Sequence, residues 1–461
     1  KDGTRDAGKI LNLSQRLLNT QVKEGENKGG WSYSIIDRIP EKAADRSNAQ
    51  FAVLGLHEAQ KAGIPVNRDI WESIKGYWTS QQGLDGGWSY IGRGPGSTGS
   101  MTAAGITTQV IVESMLRDEK DVNPDGTLNC CGEPIRNESL GRAVKWLEQN
   151  FAVGRNPING GAIGGTLYYL WGLERAGRFS GHRFFGSRNW YREGADFLIR
   201  NQLMNGSWNG TGHGEEPIVA TCFSLLFLSK GLAPVLINKL EYEATDDDVK
   251  SPSWNRHPQE IRNLTESITG LPGWPKLMTC QQLSMKDIAK RGGLEDLMLS
   301  PILYVSGNKA PRFKPHEIEL LRQYVSKGGL ILGVATCKGK DFDQGFRQLI
   351  KEMYPEEKQQ LKRLTAEHPV YRSEYPIDPE KNELWGVDMG NRTGIIYSPS
   401  DVGCLWNKWS AVEPLQRSPE MKTRITDAVR VGVNIVVYAT GRKPPSPLEN
   451  LHPDTSKQKE R

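Results

Sequence analysis

Gln81-Gln82-Gly83-Leu84-Asp85-Gly86-Gly87-Trp88-Ser89-Tyr90, followed by Ser100-Met101-Thr102-Ala103-Ala104-Gly105, is the phrase on which the fold turns. An earlier copy reads Gly29-Gly30-Trp31-Ser32-Tyr33, then Ser47-Asn48-Ala49-Gln50-Phe51-Ala52. A later one reads Asn201-Gln202-Leu203-Met204-Asn205-Gly206-Ser207-Trp208, then Ala220-Thr221-Cys222-Phe223. Trp31 and Trp88 are 57 residues apart (88 − 31), and Trp88 and Trp208 are 120 apart (208 − 88), about two periods. A worn copy falls between them, at Trp146-Leu147-Glu148-Gln149-Asn150 and Gly165-Thr166-Leu167-Tyr168-Tyr169-Leu170-Trp171. A fixed period of this size marks a stacked repeat architecture.

Each unit reads as helix, glycine-rich turn, helix. Ala43 to Ala62 and Ile70 to Gln82 carry apolar and small residues at helical spacing. The glycines allow backbone angles closed to other residues. The tryptophan then packs its ring on the turn and a neighbouring helix. Gln81 and Gln82 end a helix, where a side-chain amide can bond free backbone groups.

This pattern resembles the repeats of squalene and oxidosqualene cyclases and of protein prenyltransferase β subunits, over roughly residues 5–235. The resemblance implies an α/α toroid with a central cavity, which Tyr33, Tyr90, Tyr168, Tyr169 and Trp171 would line. It does not carry over the chemistry of those families. The acid that starts alkene protonation in the cyclases falls at Ser100, and a serine is too weak an acid for that step. Asp45 is the remaining acid near the cavity, and reads equally as a helix N-cap. The only aspartate triplet, Asp246-Asp247-Asp248, lies in a polar stretch after the last repeat. The zinc ligands of the prenyltransferases would include a His where Ala220 stands beside Cys222, and His213 lies in a glycine-rich loop, so no metal is expected. Cys130-Cys131-Gly132-Glu133-Pro134 has a proline where a thioester domain of the same fold carries its glutamine.

From about Leu277 the pattern changes to strands alternating with helices. Pro301–Gly307, Leu330–Val334, Gly394–Ser398 and Val433–Tyr438 read as strands; Pro315–Val325 and Asp341–Met353 read as helices. That alternation means a mostly parallel sheet in a three-layer α/β domain. The run from Gly328 to Pro355, His368-Pro369-Val370-Tyr371 and Tyr397-Ser398-Pro399-Ser400-Asp401 resemble an uncharacterised bacterial domain of the class I glutamine-amidotransferase-like fold. The resemblance puts Cys337 near the nucleophile position, with Lys338 and Lys340 beside it and His368 as the candidate base. The usual elbow glycine is missing, since Ala335 stands there. The expected organisation is a toroid over 1–240, a linker over 241–275, an α/β domain over 276–443 and a polar tail over 444–461.

The composition narrows the function classes. Net charge is +5, with no Lys/Arg stripe interleaved with aromatics, which argues against nucleic acid. No run of 18 apolar residues occurs, so no membrane span is expected. Six cysteines, none in a CxxC spacing, do not make a disulfide framework. Six Asn-x-Ser/Thr sequons occur, which chance alone supplies in a chain of this length, and a first residue other than Met suggests an extracytoplasmic place in the periplasm or envelope. These readings point to a non-catalytic binding or scaffolding protein with no cofactor, engaging a protein partner or assembly, or an apolar small molecule. The alternatives are an enzyme acting on an isoprenoid or lipid in the toroid, and a Cys-dependent amidotransferase- or hydrolase-like enzyme.

Overall fold

The computed structural model describes residues 3–33, 44–93, 96–116, 129, 137–157, 165–212, 214–246, 252–291, 293–337, 339–356, 359–412 and 417–442. The chain divides into two units at Ala233/Pro234. Among the described residues the first holds eight helices: α1 (Gly3–Thr20), α2 (Arg46–Lys61), α3 (Arg68–Ser80), α4 (Gly99–Met115), α5 (Glu138–Asn150), α6 (Thr166–Ser180), α7 (Trp190–Arg200) and α8 (Pro217–Gly231). Helices α2, α4, α6 and α8 pack on one another in order, and α1, α3, α5 and α7 pack on them.

The repeated phrase builds the same joint three times. Trp31, Trp88 and Trp208 are buried. Each donates its indole N–H to a carbonyl of the preceding helix: Leu17 at 2.7 Å, Trp78 at 2.8 Å and Leu198 at 2.8 Å. Each turn passes through a glycine in the left-handed region, Gly29, Gly86 and Gly206, with φ of 94°, 92° and 82°. A glutamine closes each turn by donating to that glycine's carbonyl: Gln21 at 3.4 Å, Gln82 at 2.7 Å and Gln202 at 2.9 Å. Trp146 behaves differently. It sits within α5 and donates to Asp85 Oδ2 of the previous turn at 3.0 Å. Residues 158–164, where its own turn would fall, lie outside the described residues.

The second unit is a seven-stranded sheet with helices on both faces. Its strands are β1 (Val235–Glu241), β2 (Thr279–Ser284), β3 (Ile302–Gly307), β4 (Leu330–Ala335), β5 (Lys362–Arg363), β6 (Trp385–Asp388) and β7 (Thr393–Ser398). They lie in the order β2-β1-β3-β4-β7-β6-β5. Pairings from β2 to β7 are parallel, and β6 runs antiparallel to both its neighbours. The middle strands β3, β4 and β7 are buried on both faces, as parallel strands covered by helices must be. One face carries α9 (Glu260–Thr269), α14 (Val402–Lys408) and α15 (Pro419–Thr440), with Tyr304 against Trp406. The other carries α10 (Met285–Arg291), α11 (Leu294–Leu297), α12 (Pro315–Ser326) and α13 (Lys340–Met353), and there Gly333 leaves room for the Phe346 ring. No helix among the described residues is long and apolar enough to cross a membrane.

Two expectations are corrected. The α/β unit begins at 234, not 276: β1 starts before the expected linker, which itself contains a 3-10 turn at Ser253–Asn255 and helix α9. Val433–Tyr438 is not a strand but part of α15. An apolar run of this length has no period that separates strand from buried helix. The caps decide it: Ser418 accepts from Met421 N, Pro419 takes the first turn, and Gly441 closes the end in the left-handed region.

The tryptophan joints give a stability test. Trp88→Ala removes a fully buried ring and an indole bond, and is expected to cost the helical unit about 3–5 kcal/mol in denaturant unfolding. Gly105→Ala also destabilises, because a Cβ there would lie 2.3 Å from the Trp88 ring. Gly141→Ala, in α5 with nothing within 4 Å, is expected to gain up to about 1 kcal/mol.

Candidate functional site

The carboxyl ends of β3, β4 and β7 meet at one edge of the sheet, the usual place for a site in an open α/β fold. After β4 the chain makes a sharp turn. Thr336 N donates to Gly307 O at 2.8 Å, and Gly339 N donates back to Thr336 O at 2.9 Å. Between them Cys337 has φ of 53°, in the left-handed region. A non-glycine residue held there stores strain and commonly marks a functional site. A strand–turn–helix elbow of this kind is how hydrolases expose a nucleophile. The elbow needs a glycine, but after the cysteine: a Cβ on Gly339 would lie 2.7 Å from Asn308 Cα.

Asp401 follows β7 and caps α14, accepting from Cys404 N at 2.9 Å through Oδ1. Its Oδ2 accepts from Cys337 N at 2.7 Å and pairs with His257 Nε2 at 3.0 Å. The donor atoms of His257, Cys337 and Asp401 all lie within 4.8 Å of one another. His257 is 1% exposed and Cys337 half-buried. Burial opposes a charge on His257, but the Asp401 carboxylate, its hydrogen bond and the Cys337 thiol outweigh it and raise the imidazole to about 10.

A second network, built on a fully buried ion pair, holds His257 in place. Lys239 on β1 donates to His257 O at 2.9 Å and to Asn255 Oδ1 at 2.9 Å. Its ammonium pairs with Glu260 Oε1 at 2.7 Å, both side chains being wholly buried. Tyr304 and Ser306 of β3 donate to the same carboxylate at 2.8 and 3.0 Å. Gly403 is required beside it, since a Cβ would come within 2.2 Å of Glu260 Oε2. Burial lowers the Lys239 ammonium while Glu260 holds against it.

Of the residues singled out from sequence, Cys337 is in the cluster and His368 is not. His368 Nε2 lies 2.9 Å from Thr393 Oγ1, at the start of β7, while Cys337 follows the end of the parallel strand β4. The two residues therefore sit at opposite edges of the sheet. Lys340 opens α13 and is exposed; Lys338 lies outside the described residues. Asp45 is the N-cap of α2, with Asn48 N and Nδ2 donating to its two oxygens at 2.8 Å each. Tyr33 and Tyr90 pair through their hydroxyls at 3.2 Å, exposed to solvent. Tyr169 is buried against Gly99. Tyr168 and Trp171 pack with Phe51 and Phe223 into an aromatic cluster that stays partly exposed, with Phe51 47% exposed. Cys222 is exposed on α8; His213 and the Cys130-Cys131 phrase lie outside the described residues.

His257 was missed because the apolar run Val235–Leu240 reads as a continuation of the last repeat. With that strand unrecognised, Ser253-Trp254-Asn255-Arg256-His257 looks like linker. Asp401 lay in a quoted phrase, but its signal as a cap, an Asp just before a short helix, carried no hint of a histidine partner 144 residues earlier.

Residues 237–440 match the family described as Domain of unknown function (DUF4159). The match starts within β1, so Lys239, His257, Cys337 and Asp401 all fall inside it. No curated protein matches the chain.

The charge on His257 sets a pH dependence. Its value is raised above the ordinary 6.5, so its contribution to stability is complete below about 6.5 and is lost as pH rises through about 10. The denaturation midpoint of the α/β unit is expected to fall across that interval. In His257→Gln the fall contributed by this group disappears, measured by urea titrations at several pH values.

Proposed function

We propose that the α/β unit is a thiol-dependent acyl-transfer or hydrolytic enzyme, with Cys337 as nucleophile, His257 as its acid–base partner and Asp401 as the group that orients and charges the imidazole. The observation that carries this reading is the positive φ of Cys337 on a strand–turn–helix elbow whose thiol faces a buried, carboxylate-paired histidine. A non-catalytic reading drew its support from the missing elbow glycine and from the missing acid and metal ligands in the repeats; the backbone takes the elbow conformation without that glycine, and His257 supplies an imidazole within reach of the thiol.

The chemistry follows from the ionisation of the pair. An adjacent imidazolium stabilises a thiolate. The sulfur attacks an acyl carbonyl carbon, an S–C bond forms, and the bond to the leaving oxygen or nitrogen breaks as His257 gives it a proton. The neutral imidazole then takes a proton from water, whose oxygen attacks the thioester carbon. The acid departs and the thiolate–imidazolium pair is restored. Asp401 keeps Nε2 engaged throughout, which fixes the ring.

We further infer that the helical unit is an arc of the α/α toroid kind seen in cyclases and prenyltransferases, serving as a scaffold or binding arm. Support comes from the alternating packing and from three equivalent Gly–Trp joints. Cys404 is disulfide-bonded, which suits an oxidising compartment outside the cytoplasm. The three donors at the elbow also favour a second reading, a site for a thiophilic cation such as zinc, in which case the metal would shield the thiol.

Exposed Cys222 provides an internal control for the test, which is run on protein dilute enough to be monomeric. The full chain is treated with activated esters and the adduct located by mass spectrometry. Acylation is expected at Cys337 ahead of Cys222, to vanish from that position in Cys337→Ala and to slow about 100-fold or more in His257→Ala. Equal labelling of the two thiols, unaffected by His257→Ala, contradicts the reading. Stoichiometric zinc that blocks acylation replaces it with the second.

A further inference from the structure

The repeat joints specify what sits on top of them. A Cβ built on Gly29 would lie 2.1 Å from Ser73 O of α3, and one on Gly86 would lie 2.8 Å from Arg142 O of α5. Each turn is thus closed over by the backbone of the next odd-numbered helix. Gln82 strengthens the second joint by donating to Ser139 O at 2.8 Å, and Arg142 donates to the Gln82 amide oxygen. The third turn has no such cover among the described residues. A Cβ on Gly206 would meet only Nε2 of its own Gln202, at 3.9 Å.

Several large apolar side chains are bare around that turn. Met204 is fully exposed, Ile218 is 80% exposed, and Ile199, Leu203 and Leu225 stand in solvent beside them. Helix α8 is apolar on every side, yet Ile218, Cys222 and Leu225 on one side of it are bare. Helix arrays of this kind normally end in a repeat whose outer face is polar. This end is not finished in that way.

The complementary surface is on α1. In the first joint the covering carbonyl, Ser73, lies five residues before Trp78, which in turn receives the indole of Trp88 (78 − 73). The residue after it, Ile74, is fully buried. In α1 the carbonyl that receives a turn indole is Leu17. Counting back five reaches Asn12, and the residue after it is Leu13, which is 58% exposed, with Leu11 exposed nearby. So α1 carries the register of a covering helix, while the position that is buried in α3 is open in α1.

We propose that this chain associates with a second copy of itself head to tail, α1 of one copy lying over the Gly206 turn and α8 face of the next, in the register that α3 uses on the Gly29 turn. The contact is heterologous: the two surfaces differ, so each copy keeps one free end and the assembly extends beyond a dimer unless its rotation closes a ring. The inference is independent of the chemistry at Cys337.

The test uses the full chain in sedimentation velocity up to ~100 µM, a range that captures micromolar self-association. Wild type is expected to grow with concentration past dimer. Leu13→Glu blocks the α1 surface and Ile218→Glu the other; both side chains are exposed, and unchanged circular dichroism verifies the fold. Met204→Glu, on a fully exposed side chain, is a second variant for the same end. Each variant alone is expected to be monomeric. An equimolar mixture of Leu13→Glu with Ile218→Glu is expected to form a one-to-one dimer and stop there, because one good surface of each kind remains. A wild type that stays monomeric overturns the proposal. So does a Leu13→Glu variant that still dimerises, which would mean a symmetric contact of the α8 end with itself.

Discussion

An ammonium and a carboxylate buried together inside the α/β unit, Lys239 and Glu260, are the constraint from which its working end is built. Two charges removed from water are tolerated only when they are paired and their remaining hydrogen-bonding positions are filled. Here they are filled by Asn255, the His257 carbonyl, Tyr304 and Ser306. The pair itself stands on β1 and at the start of α9, and its partners come from β3 and the turn at 253–257. The pair therefore fixes where the turn runs, and the turn fixes His257. Removing either charge alone would leave the other uncompensated, at a cost of about 3–5 kcal/mol. The imidazole that depends on this frame would lose its position with it.

The frame also explains why so little of the site lies in loops free to adjust. Asp401 is tied to Cys404 N, Cys337 N and His257 at once. Cys337 is held at an unfavourable backbone angle by bonds on both sides of it. Backbone strain of this kind costs on the order of 1–3 kcal/mol and persists only where surrounding structure determines it. Gly339 and Gly403 are the close approaches that let the elbow and α14 sit against their neighbours.

Legibility in the sequence varied with whether the signal was local. The Gly-Gly-Trp phrase could be read because each joint is local in sequence: the glutamine bonds the glycine carbonyl of its own turn, and the tryptophan bonds a carbonyl of the preceding helix, as Trp88 does on Trp78 ten residues back. Strands β3, β4 and β7 were legible as apolar runs, and α12 and α13 by their period. Helix α15 was misread because the four valines and Ile435 at 431–437 are all buried, which erases the period. Asn434 inside that run was a clue: its side chain, wholly buried, bonds Val370 O and Tyr375 O, a role suited to a helix crossing a loop. The site itself was half legible. Cys337 followed a recognisable strand, but His257 and Lys239 belong to a strand and turn that merge with the end of the repeats. A pairing across 144 residues leaves no pattern in a single chain.

The central claim is that Cys337 faces a charged imidazole and is thereby held as a thiolate. Its most direct test is the ultraviolet thiolate absorbance of the protein titrated with acid, with Cys337→Ser subtracted. A Cys337 transition well below about 8.5, the free-thiol value, is expected, moving up toward that value in His257→Gln. A transition at or above about 8.5 that does not respond to His257→Gln would contradict it.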